Sequence, residues 1–457
     1  MESDTANAKN FFVLKLFNSR KKKSTELILQ SGQTLNIYLC GPTVYDHIHI
    51  GNLRPVIIFD ILHRLLLHLN IRVNYIQNIT DIDDKIIIKA QKEKKTESEI
   101  SRHYAKSYWT NLIRYNILFA TRWPRVSNYI SQIQDFIGLL IKNGAAYQRV
   151  GEVFFRIEKN PEYGKLSGQV LTKLKEGTRE ITSANKESNH DFVLWKKTTV
   201  GKNWPSPWGA GRPGWHTECA AFINKLLHGQ TLDIHGGGND LLFPHHENER
   251  IQYLVANGRE LSQTWLHIAH INWGQEKMSK SLGNVISAKQ FCQKYGANVL
   301  RYLILNAQYN QVINLSEELI QQATDYIQKI KNLLKKLRFF LYMNKTKIVV
   351  QNTTPLQQEI VANLLNNLNT VKVLFFLEQI INFLNRFIDR RENDKKNFSE
   401  TINNFYFILD LLGFKFTLPT YNLEIKLLIK KWQDWRNKGD YIQADKARKR
   451  LQELDII

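Results

Sequence analysis

The feature that most constrains the fold is a strand–turn–helix–strand pattern near the start of the chain. Residues Thr34 to Cys40 form an apolar-rich run that is typical of a buried strand, and a glycine–proline turn follows it. Dense apolar positions from Leu53 to Leu69, with Pro55 in the first turn, predict a helix. Val73 to Ile79 predicts the next strand. Because parallel strands are joined by helical crossovers, the pattern predicts a βαβ unit and an α/β fold.

The rest of the chain changes character along its length. The segment 90–150 is predicted to be mostly helical, whereas 151–205 is more irregular and polar, so we interpret 116–205 as an insertion into the first domain. Residues 206–260 return to an α/β pattern with Gly-rich loops, and long helical periodicity dominates from Ser316 onward. A chain of 457 residues is long enough for roughly two to four domains.

The overall charge favours an anionic partner. The formal net charge is +21, which suits nucleic acid above all, although the abundance of Lys, Asn and Ile leaves compositional drift as an alternative. Polar residues interrupt the longest apolar stretches, as Asp60 does between Val56 and Leu69, so no membrane span is predicted. The N-terminus carries Glu2 and lacks an apolar h-region, which argues against a signal peptide.

The chain has three cysteines, Cys40, Cys219 and Cys292. A small, odd number of cysteines argues against a disulfide framework. A reducing compartment is therefore expected. A bacterial cytoplasm fits best, although an organelle-encoded protein would look the same. We interpret Cys292, which lies in a helical stretch, as structural.

The turn after the first strand is a candidate anion site. It runs from Cys40 to Asn52 and leads into the predicted helix, whose N-terminus attracts phosphate. His49 and Asn52 are hydrogen-bond donors at that point, and Gly51 lets a ligand approach the backbone closely. The alternative is an ordinary βα loop whose histidines are satisfied by the backbone.

A second candidate is the lysine-rich stretch Lys277 to Ser281, which lies between two glycines. Its lysines, Lys277 and Lys280, can neutralise charge on a pyrophosphate during phosphoryl or nucleotidyl transfer. The alternative is a basic surface loop without a catalytic role.

A third group of residues has the chemistry of a zinc site. Pro244 is predicted to open a helix on which His245 and Glu249 share a face, because they are four residues apart. Cys40 and Cys219 add two thiols, and two thiolates, one imidazole and one carboxylate form a plausible tetrahedral Zn²⁺ set. Because the four residues are scattered, the alternative is two cysteines buried as small hydrophobes and a solvated His/Glu face.

Two further segments border these candidates. Asp233 to Asp240 is interpreted as a Gly-rich loop that could hold a ribose or an amino group against Asp240. Asn78 to Asp84 is acidic but lacks the spacing of an EF-hand. We therefore predict a strand-end loop there, with Thr80 facing the pocket, rather than a cation site.

Together these segments resemble the cysteinyl-tRNA synthetase family along almost the whole chain. Gly41 to Asn52 is similar to the HIGH signature of class I synthetases, and Lys277 to Ser281 matches the KMSKS signature letter for letter. Many class I synthetases share both signatures. The segments that point to the cysteinyl family and its close relatives are Asn78 to Lys85, Trp204 to His216 and Asp233 to Glu249.

The resemblance implies a Rossmann catalytic core with a connective insertion, followed by helical tRNA-binding regions. It also implies ATP-dependent attachment of cysteine to tRNA-Cys by a monomer. The implied segments are the first half of the Rossmann core (1–115), the connective insertion (116–205), the second half of the core with the zinc site (206–260), the KMSKS-loop and stem-contact region (261–315), a helical bundle (316–420) and an anticodon-binding end (421–457).

The resemblance assigns roles to the candidate residues as well. The implied ligands of one zinc ion per chain are Cys40, Cys219, His245 and Glu249. The implied contacts to the cysteine substrate are Thr80, Trp215 and Asp240. The implied contacts to ATP, which binds with Mg²⁺, are His49, Gly51, Asn52, Gly238, Asp240 and Lys280. The implied catalytic residues are His49, Asn52, Lys277 and Lys280.

Three departures from the family's pattern are visible. Asn52 stands where the name-giving motif has histidine, and asparagine still donates a hydrogen bond to phosphate. Asn310 and Gln311 stand where many members carry Arg-Ser, a basic contact near the core. Many members continue into a Trp-containing tail where this chain stops, so some anticodon contact is expected to be lost or supplied otherwise. For stacking on unpaired bases, the last segment offers Trp432, Trp435 and Tyr441.

Two other functions remain open at this stage. A relative that ligates cysteine to an amino-sugar would keep the zinc and ATP motifs but lack the helical, basic region after Leu315. An inactive RNA-binding paralogue would have lost a zinc ligand or a signature lysine, and this chain retains them all. Both alternatives therefore rank below the synthetase.

Overall fold

The structure, a computed structural model, describes residues 10–170, 186–274, 276–277, 285–346, 353–390 and 395–457. The chain forms two compact units, residues 1–316 with 363–369, and residues 317–362 with 370–457. The finer division into six segments stays a prediction.

The first unit contains strands and helices in alternation. Its strands are β1 Phe11–Asn18, β2 Lys23–Gln30, β3 Thr34–Leu39, β4 Arg72–Gln77, β5 Ala146–Arg149, β6 Glu152–Phe155, β7 Phe192–Lys197, β8 Gly211–Pro213, β9 Leu232–Gly238, β10 Ser262–Ile268, β11 Ile271–Trp273, β12 Glu276–Lys277 and β13 Ile313–Leu315. Its helices are α1 Ile50–His68, α2 Asp84–Glu93, α3 Glu97–Arg114, α4 Ile130–Lys142, α5 Trp215–Leu226, α6 Glu247–Asn257, α7 Ala288–Tyr295 and α8 Ala297–Leu305.

A parallel sheet forms the centre of this unit. Within the described residues its strand order is β10–β9–β3–β4, and each neighbouring pair is parallel. Helix α1 crosses from β3 to β4, so the predicted βαβ unit and the α/β fold class are confirmed. The helix buries a stripe at a spacing of four residues, which is the periodicity of one helix face: Leu53, Ile57, Ile61 and Leu65.

Helix α1 begins at Ile50 and not at the predicted Leu53. A two-way hydrogen-bond cap between His49 and Asn52 starts the helix earlier than its apolar periodicity does. Pro55 was predicted to lie in the first turn of the helix. Because the helix begins at Ile50, Pro55 lies further inside it. The helix tolerates it at this early position, at the loss of one backbone hydrogen bond.

The Gly-rich segment Asp233 to Asp240 was predicted to be a loop, and this was wrong, because most of it is the inner strand β9. A Cβ atom on Gly236 would lie 2.3 Å from the carbonyl oxygen of Leu266 and 2.7 Å from the ring of Phe59. Close packing of α1 and β10 therefore requires glycine here, and no turn is involved. A short 3-10 turn, Asn239–Leu241, follows the strand and carries Asp240.

Smaller sheets accompany the parallel one. In the described part of the chain, β5 to β8 form an antiparallel sheet in sequence order, and β1 pairs with β2 as a hairpin. Strand β11 pairs in parallel with β13 and antiparallel with β12. Strand β12 contains Lys277, the first residue of the lysine-rich stretch.

From residue 317 onward the described structure is helical, as predicted. The helices are α9 Glu317–Met343, α10 Pro355–Leu365, α11 Thr370–Arg390, α12 Lys395–Leu411, α13 Leu423–Asn437 and α14 Tyr441–Glu453. In the second unit, the ring of Phe387 stacks on that of Phe398 with centroids 4.0 Å apart. Trp432 packs against the small core under α13 and α14, whereas Tyr441 is 69% exposed.

No helix among the described residues is both long and apolar enough to span a bilayer.

Candidate active site and metal centre

The carboxyl ends of β3, β4 and β9 meet at one edge of the parallel sheet, where folds of this kind bind ligands. Gly41 N–H donates a 2.8 Å hydrogen bond to Asn78 Oδ1, and Val44 N–H donates to the carbonyl oxygen of Thr80 at 3.1 Å. A Cβ atom on Gly41 would lie 1.7 Å from the backbone oxygen of Asn78, so glycine alone fits there. The turn after β3 and the segment after β4 are thus held tightly together.

The residues Gly41 to Asn52, here named the signature turn, end in the cap of α1. The His49 side chain accepts a hydrogen bond from Gly51 N–H at 3.1 Å, and Asn52 Oδ1 accepts one from His49 N–H at 3.0 Å. The polar residues predicted to bind an anion therefore surround a helix N-terminus at the edge of the sheet, where the helix dipole favours negative charge.

Four side chains from separate segments meet beside this turn and are here named the donor cluster: Cys40, Cys219, His245 and Glu249. The two sulfur atoms are 3.8 Å apart, and Cys40 Sγ lies 3.6 Å from Glu249 Oε1. His245 Nε2 lies 2.7 Å from Glu249 Oε1 and 3.9 Å from Cys219 Sγ. Donor atoms of all four lie within 4.8 Å of one another. The structure thus brings together the four predicted metal ligands.

The electrostatics of the donor cluster follow from its burial. Burial raises the pKa of Cys40. Burial also acts to raise the pKa of Cys219, but a hydrogen bond from Cys40 and the neighbouring His245 outweigh it and lower that pKa. Burial lowers the pKa of His245, yet the Glu249 carboxylate outweighs burial and raises it to about 10. A bound metal would displace the proton from His245, because imidazole binds metals in its neutral form.

Two histidines extend the cluster behind Glu249 and Cys40. His235 Nε2 lies 2.7 Å from Glu249 Oε2, and His246 Nε2 lies 3.3 Å from Cys40 Sγ. With Cys40 and Glu249 these histidines form a second set of four donors within 4.8 Å, so the structure offers two overlapping ligand sets. Sequence reasoning missed both histidines, although His246 directly follows His245 and His235 lies in the Gly-rich segment.

The helix that carries two of the donors starts later than predicted. A π-type turn, Leu242–His246, precedes α6, which begins at Glu247. The backbone of Phe243 is extended, so the chain bends just before Pro244, where the helix was predicted to open. His245 and Glu249 nevertheless lie on one face, as their 2.7 Å contact shows.

A pocket wall adjoins the donor cluster. The indole of Trp215, the first residue of α5, stacks on the His245 ring with centroids 4.2 Å apart. The hydroxyl of Thr80 donates a 2.9 Å hydrogen bond to Glu218 Oε2. Burial raises the pKa of Glu218 well above its usual range, and sequence reasoning had not singled out this carboxyl group. Two of the three predicted substrate residues therefore lie beside the cluster.

The remaining predicted residues lie outside the donor cluster or outside the described residues. Gly238 ends β9, and Asp240 is exposed in the turn that follows it. The backbone of Lys277 lies in β12, and Lys280 lies outside the described residues. Cys292 lies in α7, where burial raises its pKa.

Comparisons with known proteins find similar sequences over most of the chain. The family described as tRNA synthetases class I (C) catalytic domain matches residues 27–325. The chain is 41% identical to the cysteine–tRNA ligase of Mycoplasma mycoides subsp. mycoides, and the match covers 97% of this chain and all of that protein. It is 43% identical, with the same coverage, to the cysteine–tRNA ligase of Mycoplasma capricolum subsp. capricolum.

A solved structure supports the fold. Methionyl-tRNA synthetase of Mycobacterium tuberculosis, in complex with methionyl-adenylate, aligns with a TM-score of 0.58 over 83% of this chain and 89% of that one, at 13% identity. At that identity the likeness concerns the fold. The family follows from the sequence relatives: the chain belongs to the cysteine–tRNA ligases, a family of class I aminoacyl-tRNA synthetases.

Proposed function

We propose that this protein attaches L-cysteine to tRNA-Cys in an ATP-dependent reaction that passes through cysteinyl-adenylate. The observation that carries the proposal is the meeting of the donor cluster and the signature turn at one edge of the parallel sheet. The names of its relatives over nearly the full length support the choice of amino acid and of tRNA.

The donor cluster fits zinc by its chemistry, since thiolate, imidazole and carboxylate are the usual ligands of that ion. A zinc ion there would hold the substrate through its sulfur and would bind the hydroxyl of serine far more weakly at neutral pH. The surrounding side chains orient the ligands: His235 holds the second oxygen of Glu249, and Trp215 covers His245.

In the first step, the carboxylate oxygen of cysteine attacks the α-phosphorus of ATP, and pyrophosphate leaves. We assign ATP, with Mg²⁺, to the N-terminus of α1, where His49, Gly51 and Asn52 form the cap. The cap uses the amide oxygen of Asn52, so we assign the NH₂ group of the same side chain to the phosphates. Lys277 and Lys280 would neutralise the charge that develops on the leaving group.

The remaining substrate contacts are assigned by position. Gly238 and Asp240, at the carboxyl end of β9, would hold the ribose, and Asp240 would also attract the amino group of cysteine. Thr80 and Trp215 complete the wall next to the metal centre.

In the second step, a ribose hydroxyl at the 3′ end of tRNA attacks the acyl carbonyl, and AMP leaves. We assign the body of the tRNA to the helical second unit, whose basic C-terminal helices include the exposed Tyr441. A cytoplasmic location and a monomeric state remain predictions.

Cysteine-dependent exchange of labelled pyrophosphate into ATP, combined with charging of a tRNA-Cys transcript, tests the proposal. We expect both reactions. Exchange without charged tRNA would favour the amino-sugar ligase, and the absence of both would favour an inactive RNA-binding paralogue.

A further inference from the structure

A short segment runs along the outer side of β4, the last strand of the parallel sheet, and also approaches the active site. Residues 121–125 run beside β4: Gln77 N–H donates to the carbonyl oxygen of Arg122 at 3.0 Å, and Ile79 N–H donates to that of Pro124 at 2.8 Å. Arg125 therefore pairs with Ile79, the residue next to Thr80. The segment thus forms a rim beside the predicted substrate pocket.

An aromatic group lies on this rim. The ring of Trp123 makes edge contacts with the rings of Trp109 and Phe119, with centroids 6.0 and 6.2 Å away. Trp123 Nε1 donates to the carbonyl oxygen of Ala120 at 3.1 Å, which fixes the indole. Both indoles are half-buried, and Phe119 is 46% exposed, so part of this aromatic surface is open to solvent.

Two arginines give the rim a positive charge. The Arg125 guanidinium lies 5.3 Å from the centroid of the Trp109 ring, and Arg122 is exposed. Within the described residues, no carboxylate lies within 4 Å of either guanidinium. Lys106 precedes Trp109 by three residues and shares its face of α3. We name Trp109, Phe119, Arg122, Trp123 and Arg125 together the rim surface.

Partly exposed aromatic side chains next to arginines without a carboxylate partner suit an unpaired nucleotide. Bases stack on aromatic side chains, and guanidinium groups bind phosphate and also stack on rings. A purely apolar partner would gain nothing from the two arginines. The position adds a second argument, because Arg125 pairs with Ile79 and so lies close to Thr80, which borders the pocket where the 3′ ribose of the tRNA would react.

We propose that the rim surface binds the unpaired 3′ nucleotides of tRNA, with a base stacked on the aromatic group and phosphates held by Arg122 and Arg125. The inference rests on the proposed function. It concerns the path of the acceptor end and leaves adenylate formation untouched.

The test compares an Arg122→Ala/Arg125→Ala variant and a Trp123→Ala variant with an Arg72→Ala control. Arg72 is exposed at the opposite end of β4, where it bonds to the carbonyl oxygen of Gly32. We expect both rim variants to raise the KM for tRNA-Cys by about tenfold or more, the range of one lost stacking contact, with pyrophosphate exchange unchanged. The control should keep the wild-type KM.

A shortened transcript that lacks the unpaired 3′ nucleotides makes the test specific. Wild type should bind it more weakly than full-length tRNA, whereas the rim variants should bind the two alike, because the contact is already gone. The inference would be overturned if the shortened transcript lost the same binding affinity in wild type and in the rim variants. It would also be overturned if the rim variants kept the wild-type KM for tRNA-Cys. Wild type that charges no tRNA would instead refute the proposed function. If Trp123→Ala fails to fold, the double arginine variant still decides the question.

Discussion

The signature turn and the donor cluster lie side by side but are built in opposite ways. The turn is one stretch of chain, and its cap joins residues three positions apart. The cluster joins residues up to 209 positions apart, and its members come from the end of β3, from α5, from the turn before α6 and from α6 itself. Local hydrogen bonding therefore shapes the turn, whereas the donor cluster exists only where the fold brings these separate segments together.

Loss of a cluster ligand should have the largest effect. Cys219→Ser should remove the bound zinc and lower cysteine-dependent pyrophosphate exchange by more than about a thousandfold, because losing even an outer partner of a metal ligand costs about 10–100-fold. Metal analysis of the purified protein and the exchange assay measure the two effects.

A His246→Asn variant is the matched comparison, because His246 belongs to the second donor set and Cys219 to the first. We expect it to retain close to one zinc per chain. Retention of zinc by Cys219→Ser together with its loss from His246→Asn would assign the metal to the second set.

Lys280→Ala should have the next largest effect. Like the signature turn, the lysine-rich stretch that contains Lys280 is one continuous segment of the chain. Removing one electrostatic contact to the transition state should lower adenylate formation by about 10²–10³-fold, with less change in ATP affinity. Lys289→Ala, at an exposed position in α7, is the control. An equal loss of ATP affinity and rate would contradict a transition-state role.

His235→Gln should have a smaller effect on the donor cluster. The variant loses the imidazole that holds Glu249 Oε2, which should weaken zinc affinity by about 10–100-fold. His267→Gln changes a histidine that bonds to His246, outside the donor cluster, and should affect zinc less. Competition with a chelator measures both affinities, and equal losses would argue against a specific role for His235.

The smallest effect is expected at the cap of α1. Asn52→Ala removes the oxygen that accepts from His49 N–H and should lower the free energy of unfolding by about 1 kcal/mol. Asn52→Asp keeps an accepting oxygen but places a negative charge where ATP is assigned. It should retain stability and raise the KM for ATP. Denaturant unfolding and exchange kinetics separate the two roles, and equal stability of wild type and Asn52→Ala would contradict the cap.

The same contrast explains what the sequence could predict. Apolar periodicity was sufficient to place β3, α1 and β4, and residue chemistry with family resemblance was sufficient for the four cluster donors. Periodicity carries no information about caps, so the start of α1 at Ile50 was missed. Glycine content suggested a loop at 233–240, because a strand that needs glycine for close packing at Gly236 looks the same in sequence.

The partners behind the cluster were hidden for a different reason. His235 contacts Glu249, and Glu218 contacts Thr80. Neither residue belongs to a sequence pattern that would predict its contact. Their roles follow from contacts that only the fold reveals, between β9 and α6 for His235 and between α5 and the segment after β4 for Glu218. Sequence therefore suggested candidate ligand contacts, which stay predictions, more readily than the side chains that would hold those candidates in place.

Gly41 has a consequence for redesign of the enzyme. Its missing side chain lets the backbone beside Cys40 contact the backbone at Asn78, two residues before Thr80. In a library built to change the amino acid that the enzyme accepts, replacements at Gly41 would be lost from the active pool although this residue is neither a predicted ligand nor a predicted substrate contact. Such a library should keep Gly41 fixed and place its diversity in Thr80 and Trp215.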